Sequence, residues 1–557
     1  MKKTVISIII SLFCICNVFA VSGRVYFSNS REYNAIREMA QYQGITGPSL
    51  FTPISEQELY SAFKYIDRNV LPEYYKTSYD ELELLFSAEK KSFEYQFDVS
   101  LTPQLLLASN MDDSAEDGGG RNSFFIPYGN EKPFLGINLV MDFGSFASIV
   151  LEAGLKNRAL KDDIPLLNTS FLLYSHDNHW YVLNKDGVVL YDTNIPNLAV
   201  TSFGNEYLRF SLGRGKVNMG GGSFSNMLIS DNFPYHEFAK LSLVTGGLFR
   251  YDIMLLNFDN QISETGFKRP TFTGMHQRAV FHSFDFDIAK QIAVTFTLGT
   301  MLYTDNSFDL RWITPFNVLH NMFNYDEAII NPPEYDEANN IMGFEVNWAI
   351  APRFNIDLQL VIDQFQLFFE AKSIIPNALG GLIHLSYLDT FHDGSVKLWA
   401  EAAYTNPYLY LNEKVINGVR NYNYDWIAGY FSTLADDGAP NISYIGYQFG
   451  PDTLALSCGI SRTDSTGEYH LSFMYKLQGE KGIGNSTISG FDYKDAFSLT
   501  GTIEHHFMIA FTGTWNLTNI HQMIYGMNLS WYNNYLHRDG TSSLITQLLF
   551  GIKIGIM

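Results

Sequence analysis

The chain has 557 residues, with 37 basic against 58 acidic side chains, a formal net charge of -21, 3 cysteines and 15% aromatic residues. The cysteines are too few for a disulfide scaffold, the acidic balance argues against a nucleic-acid partner, and 34 Tyr with 44 Phe exclude a disordered chain. Charged residues make up 17% of the sequence, below the roughly 25% that is usual for soluble domains, so part of the surface is expected to face something other than water.

Residues 1–20 have the pattern of a secretory signal peptide, in which two lysines precede a short apolar core. The small residues that follow the core predict cleavage after Ala20. A retained membrane anchor is one alternative, and a lipoprotein cut before Cys14 or Cys16 is another, although no lipobox precedes either cysteine. Cleavage leaves Cys458 as a single cysteine, which cannot form an intramolecular disulfide.

Residues 21–91 are predicted to form a small periplasmic helical cap, because their apolar residues recur with the 3.6-residue period of helices. The first predicted helix follows Ser30. The second follows a capping box of Ser55 and Glu58, and the third is expected to begin at Ser78. Helices this short are unstable alone in water, so their apolar faces are expected to pack on each other or on the rest of the chain.

Residues 92–557 change to a period of two, which is typical of β-strands with one apolar and one polar face. The clearest alternation lies in residues 93–101, 135–143, 354–362, 469–477, 507–517, 525–531 and 548–556. The predicted fold is therefore all-β.

Two architectures contain such strands, a soluble β-sandwich and an outer-membrane β-barrel. The barrel needs strands of about 9 to 11 residues, apolar outward and polar inward, with aromatic residues at both interfaces. Strand length, aromatic excess and the export signal favour a transmembrane antiparallel barrel over a secreted sandwich or adhesin. The periodic segments predict about 18 strands, which enclose a lumen too wide for wall side chains alone to fill.

Two acidic segments, residues 111–120 and 331–340, are expected to be loops. Clustered carboxylates suit calcium, but neither segment has the ligand spacing of a dedicated site, which favours solvated surface loops. No catalytic, metal or cofactor motif is present in the sequence. In a period-two strand His505 and His506 point to opposite faces, and Cys458 falls on the apolar face.

One stretch of the sequence resembles a known family. Its segments are residues 195–199 (IPNLA), 207–214 (YLRFSLGR), 220–222 (GGG), 226–232 (NMLISDN) and 233–235 (FPY). This order, with FTPIS at residues 51–55 before a helix, resembles the capsule-assembly outer-membrane family known as Wzi. The resemblance implies an eighteen-stranded barrel with a periplasmic helical cap that acts as a lectin for capsular polysaccharide at the cell surface.

The charged residues of the same stretch are the candidate ligand-binding residues, namely Arg209, Arg214, Arg250 and Asp231. Alternation places Arg209 on the lumenal face, opposite the apolar residues of its strand. The arginines are expected to line the interior, because a charge facing lipid costs about 2 to 4 kcal/mol at the membrane midplane. There they would either face an anionic sugar or pair with acids such as Asp252 in an ion-pair network that braces the barrel.

Three functions follow as hypotheses. The first is a non-enzymatic outer-membrane barrel that binds surface or capsular polysaccharide, with outer-membrane lipid and the barrel-assembly machinery as its other partners. The second is a porin or a channel for hydrophobic substrates. The third is a surface hydrolase, whose Ser and His would be scattered along the sequence.

Overall fold

The computed structural model describes residues 23–109, 133–157, 167–169, 191–192, 198–232, 235–245, 249–263, 266–268, 276–304, 310–315, 337–364, 377–416, 419–424, 426–430, 441–482, 498–518 and 520–556. The predicted signal peptide with Cys14 and Cys16 lies outside the described residues, as does the acidic segment 111–120. Residues 331–336 of the second acidic segment also lie outside the described residues, whereas residues 337–340, predicted to be loop, pair with the preceding strand as the start of a new one.

Three α-helices precede the barrel: α1 (Arg31–Gln43), α2 (Glu56–Phe63) and α3 (Glu73–Ser87). The capping box of α2 is present, since Ser55 Oγ accepts from the Glu58 N–H at 3.2 Å and the Glu58 carboxylate accepts from the Ser55 N–H at 2.7 Å. The third helix begins earlier than the predicted Ser78, because Pro72 sets its first turn with φ -67° and Ser78 lies inside it.

None of the helices in the described part of the chain is long and apolar enough to cross a bilayer.

Eighteen antiparallel strands in the described residues form the barrel wall. They are β1 (Glu94–Leu101 continued by Gln104–Ser109), β2 (Leu135–Phe143), β3 (Ala147–Asn157), β4 (Leu198–Gly204), β5 (Leu208–Gly215), β6 (His236–Thr245), β7 (Phe249–Ser263), β8 (His276–Ala289), β9 (Ile292–Thr304), β10 (Glu337–Ala351), β11 (Phe354–Gln364), β12 (Ala378–Phe391), β13 (Gly394–Thr405), β14 (Thr453–Asp464), β15 (Gly467–Gln478), β16 (Glu504–Asn516), β17 (His521–Asn533) and β18 (Ser542–Gly555). The shorter strands are Val25–Tyr26, Phe51–Thr52, Ile54–Ser55, Leu167–Thr169, Tyr191–Asp192, Asn218–Met219, Gly266–Lys268, Leu411–Ile416, Val419–Tyr424, Ile427–Tyr430 and Asn441–Tyr444.

The sheet closes on itself through β18 and β1. Ile554 pairs with Leu101, and Thr546 pairs with Ser109 on the second half of β1. Closure removes the free sheet edge that an open arrangement would leave. The predicted fold, an antiparallel barrel of about 18 strands with a small N-terminal helical part, is confirmed.

The two faces of the wall differ in polarity as the alternation predicts. On β11, Asn355, Asp357 and Gln359 are buried in the interior, while Phe354 and Leu360 are exposed outside. The same outer surface carries exposed aromatic and aliphatic side chains on strands around the barrel, among them Phe344, Trp348, Ile383, Leu398, Leu456, Phe473, Phe507, Trp531 and Leu548. A lipid environment covers such a surface without the cost of contact with water. Cys458 is also exposed on this face.

The two ends of the barrel differ in their connections. Short turns join strands at one end, the short-turn end, at residues 144–146, 205–207, 290–291, 352–353 and 392–393. Long connections, such as residues 216–235, 406–452 and 479–503, join them at the other end, the long-loop end. The helical segment contacts the short turns, since the Thr46 N–H donates to Lys290 O at 2.8 Å and Gln41 Nε2 donates to Arg353 O at 3.0 Å.

The chain fills much of the lumen with its own residues. One apolar cluster joins the N-terminal segment, the β5–β6 connection, described residues between 408 and 447 of a long connection, and the inner wall. Its members include Phe51, Met227, Ile229, Tyr410, Trp426, Tyr444 and Met254. Trp426 Nε1 donates to Leu228 O at 2.9 Å, so two long connections are also hydrogen-bonded to each other inside the barrel.

Candidate functional site in the barrel lumen

Arg250 is a lumenal side chain that holds the helical segment to the wall. Its guanidinium lies 2.8 Å from the carboxylate of Glu58 on α2 and 2.6 Å from that of Asp252 on the same strand. Lys240 on β6 completes the cluster, with Nζ 2.8 Å from Pro53 O and 3.6 Å from Asp252. Burial by itself would raise the pKa of Glu58, but the charges of Arg250 and Lys240 outweigh burial and hold it below its ordinary value.

Arg209 also lies on the lumenal side and is buried. Its Nη1 donates to Gly23 O and to Phe146 O, both at 3.4 Å. Ser202, on the neighbouring strand β4, donates to the same Gly23 carbonyl. The Arg209 side chain therefore binds the start of the described N-terminal segment to the barrel wall.

Arg214 does not line the interior as predicted. Strand β5 continues to Gly215, so Arg214 lies within the strand and shares the side of Leu208 and Leu212, opposite Arg209. Its Nε donates to Glu237 on β6 at 2.6 Å, and its guanidinium lies 4.0 Å from the centre of the Tyr235 ring. The charge is accommodated there because it is paired and sits at the long-loop end, away from the middle of the wall.

Asp231 lies in the connection between β5 and β6 and accepts a hydrogen bond from Ser28 at 2.9 Å. The four predicted residues therefore do not converge on one point. Arg209, Arg250 and Asp231 each contact the N-terminal segment, and Arg214 belongs to an ion pair at the long-loop end.

A second lumenal cluster was not singled out from the sequence. Asp357, His384 and Glu401 lie side by side on β11, β12 and β13, since Asp357 pairs in register with His384 and His384 pairs with Glu401. All three are buried on the inner face. Arg37 from α1 lies 3.3 Å from Asp357, so the helical segment reaches this cluster from the short-turn end.

The connection of residues 216–232, here called the glycine loop, reaches the same cluster from the long-loop end. Its strand Asn218–Met219 pairs with Phe51–Thr52 of the N-terminal segment. Ser223 Oγ lies 2.8 Å from His384 Nε2, and the Ser223 N–H donates to Glu401 at 2.6 Å. Alternation alone assigns the three wall residues to the lumen, but no sequence signal places a loop serine against them.

Among the residues that the structure describes, no group of His, Cys, Asp or Glu forms a metal site. His505 and His506 are adjacent in the sequence but point to opposite faces of β16. His505 Nδ1 lies 2.8 Å from the Tyr475 hydroxyl, whereas the His506 ring stacks on Tyr532 with centres 4.1 Å apart.

The architecture is that of an outer-membrane β-barrel whose lumen is occupied by its own chain. Among solved structures it is similar to Wzi, an outer-membrane protein involved in group 1 capsule assembly in Escherichia coli that is described as a carbohydrate-binding β-barrel. The TM-score is 0.54 with 11% sequence identity over 95% of this chain and 99% of that chain, which confirms the predicted resemblance at the level of the fold.

Two outer-membrane proteins give weaker structural matches. The channel DcaP of Acinetobacter baumannii matches with a TM-score of 0.32 and 9% identity over 84% of this chain and 98% of its own. OprD of Pseudomonas aeruginosa matches with a TM-score of 0.39 and 8% identity over the same shares. Likenesses this weak carry no argument about function. No protein-family model and no curated protein matches the sequence.

Proposed function

We propose that this protein resides in the bacterial outer membrane and binds surface polysaccharide through its long-loop end. The filling of the lumen carries the proposal: Phe51 of the N-terminal segment, the glycine loop and the described residues between 408 and 447 pack together inside the wall, and α1 reaches the same interior through Arg37. A barrel filled from both ends is suited to holding a polymer at its surface more than to passing solutes in bulk. The fold shared with a barrel described as carbohydrate-binding supports the same function.

The proposed orientation follows from the connections. Short turns face the periplasm and long loops face outward in barrels of this type, so the helical segment of residues 21–91 would lie on the periplasmic side. Membrane lipid would contact the apolar outer wall. The barrel-assembly machinery and a cleaved export signal would be required for insertion.

The four candidate residues then divide into two roles. Arg214 and Asp231 are in the β5–β6 region toward the long-loop end, where a polysaccharide would bind. Arg209 and Arg250 are positioning residues that hold the N-terminal segment.

Retention of polysaccharide tests the proposal. Purified full-length protein is immobilised, and extracellular polysaccharide extracted from the producing cells is passed over it. We expect wild-type protein to retain the polysaccharide and Arg214→Ala to weaken retention. Arg462→Ala is the matched control, because Arg462 is also ion-paired, with Asp464, but sits by the short turns. Equal retention by all three proteins would remove Arg214 from the site, and no retention by wild-type protein would contradict the function.

A planar-bilayer recording separates binding from the alternative of a porin or hydrophobic-substrate channel. The filled lumen predicts no steady, large conductance from the purified full-length protein. A steady open-pore current, with the helical segment intact by mass spectrometry, would favour the channel.

A further inference from the structure

Ser223, His384 and Asp357 form a hydrogen-bonded chain in the lumen. Ser223 Oγ lies 2.8 Å from His384 Nε2, and His384 Nδ1 lies 3.3 Å from Asp357 Oδ2. A serine hydroxyl is a weak nucleophile until a base withdraws its proton, and a carboxylate behind the imidazole fixes the ring for that task. We propose that Ser223 is the nucleophile of a lumenal esterase, with His384 as its general base and Asp357 as the positioning residue.

The burial of the three side chains fits these roles. Ser223 is exposed, whereas His384 and Asp357 are 1% and 0% exposed. Asp357 accepts further hydrogen bonds from Asn347 and, at 3.2 Å, from Asn355, and its carboxylate lies 3.3 Å from the Arg37 guanidinium. These contacts fix the carboxylate, which therefore orients the imidazole and stabilises its protonated form.

The close approach of the loop to the wall is built into the backbone. Asp357 and His384 are directly opposite each other on β11 and β12, so their distance is set by the register of the sheet. The glycine loop then passes directly over Asp357. A Cβ on Gly221 would lie 2.3 Å from the Asp357 carboxyl carbon, a distance that excludes any other residue at that position while Ser223 keeps its contact.

Two adjacent backbone N–H groups provide the second requirement of acyl transfer. The Ser223 N–H donates to the carboxylate of Glu401 with an N···O distance of 2.6 Å, and the Phe224 N–H donates to the same carboxylate. Convergent N–H donors beside a nucleophilic serine stabilise the oxyanion that forms when an ester carbonyl is attacked. In this structure the Glu401 carboxylate accepts from both N–H groups, so it competes with the carbonyl oxygen of a substrate for them.

The proposed reaction is ester hydrolysis in two steps. Ser223 Oγ forms a bond to the carbonyl carbon while its proton moves to His384 Nε2. The carbon–oxygen bond to the alcohol then breaks, and His384 protonates the leaving alcohol. Water attacks the acyl-serine and gives a proton to His384, the acid departs, and the proton returns to Ser223. No oxidant, reductant or metal takes part in either step.

The substrate class is an ester of a short acyl chain. The Trp399 ring lies 5.6 Å from the Phe224 ring and 6.3 Å from the His384 ring, so aromatic side chains flank the serine. Two aromatic rings beside the serine and its base favour a small acyl group, such as acetyl, over a fatty acyl chain. This activity does not depend on polysaccharide binding.

A fluorophosphonate probe and p-nitrophenyl acetate test the proposal on folded full-length protein, with folding checked by heat-modifiable gel migration. We expect the probe to label Ser223, Ser223→Ala to abolish both labelling and hydrolysis, and His384→Ala to slow both. Ser465→Ala is the control, because Ser465 is exposed in a short turn and should leave both unchanged.

Glu401→Ala distinguishes an obstructed esterase from a merely structural contact. Removing the carboxylate frees the two N–H donors, so the labelling rate of Ser223 is expected to rise by about tenfold or more. Glu401→Ser serves the same purpose if the alanine variant does not fold. Labelling that persists in Ser223→Ala overturns the proposal. So does the absence of Ser223 labelling in folded wild-type protein and in both Glu401 variants.

Discussion

Two partly buried glutamates of the helical segment differ in what surrounds them, and their contributions to stability should have opposite signs. Glu58 faces Arg250 and Lys240, which hold its pKa below its ordinary value against the effect of burial. Its contribution is therefore present above the pKa of the unfolded chain and is lost as pH falls through the folded pKa. Burial raises the pKa of Glu38, so its contribution is present at low pH and is lost as pH rises through its folded pKa.

Glutamine variants at the two positions form a matched pair. At pH 7 we expect Glu58→Gln to lower the free energy of unfolding of the helical segment by about 1.5 to 3 kcal/mol, because a charge-assisted hydrogen bond to Arg250 is lost. Glu38→Gln should cost less or stabilise, because it removes a carboxylate that is buried at a cost. Proteolysis of the helical segment between pH 3 and pH 8 measures both effects. Equal effects of the two substitutions at pH 7 would contradict this electrostatic account.

The roles of single residues could be predicted only in part from the sequence. Alternation assigned Arg209 to the lumen, because strand parity depends only on neighbouring residues. The same rule places Arg214 on the face opposite Arg209, because β5 extends to Gly215 and includes Arg214. The pairing of Arg250 with Asp252 was anticipated, because the two residues lie on one strand. The partners of Arg209 and Arg250 in the N-terminal segment, Gly23 and Glu58, are far away in the chain, and no local pattern indicates such pairs.

At the scale of elements, the junction between α1 and the turn that joins β10 to β11 depends on one glycine. Gly44 ends α1 with φ +75°, and a Cβ there would lie 2.7 Å from Pro352 N. Gly540 has nearly the same φ, +73°, but has nothing within 4 Å of its Cβ position. Alanine in the left-handed backbone conformation costs about 1 to 2 kcal/mol at either site. Only Gly44→Ala also adds a steric clash with the barrel.

We therefore expect Gly44→Ala to loosen the helical segment and Gly540→Ala to leave it docked. The measurement is the rate at which a protease releases residues of α1 to α3 from the folded barrel. Similar release rates in the two variants would show that the contact with Pro352 does not hold the helices in place.

Elements were predictable where one local signal dominated. The capping box of Ser55 and Glu58 located α2, since both partners lie within one turn. The start of α3 was misplaced because Ser78 and Glu81 repeat that pattern inside a helix that Pro72 had already begun. Strand periodicity predicted the strands of the barrel wall. The contact between Ser223 and His384 depends on the path of a loop, which periodicity does not indicate.

For the whole molecule, the composition and the fold have one common explanation. The low charged fraction of the sequence results from an outer wall that is apolar around the barrel, and the acidic residues are placed in the lumen and at the ends. Inside, the buried acid Asp357 is paired with an arginine of α1. Asp252 is paired with an arginine of its own strand and a lysine of the neighbouring strand. The excess of acid is thus compatible with a filled lumen, because acids such as Asp357 and Asp252 are ion-paired there.

The apolar wall also makes a prediction about the whole molecule in a bilayer. Phe344 and Ile350 are on the same face of β10 and are 41% and 47% exposed, but Phe344 is in the middle of the strand and Ile350 is next to its end. If the barrel spans a membrane, lysine should cost about 2 to 4 kcal/mol at position 344 and about 0 to 1 kcal/mol at position 350. Reversible folding of Phe344→Lys and Ile350→Lys into phospholipid vesicles measures the two costs. A soluble protein would show small and similar costs at both positions, because water already covers both side chains.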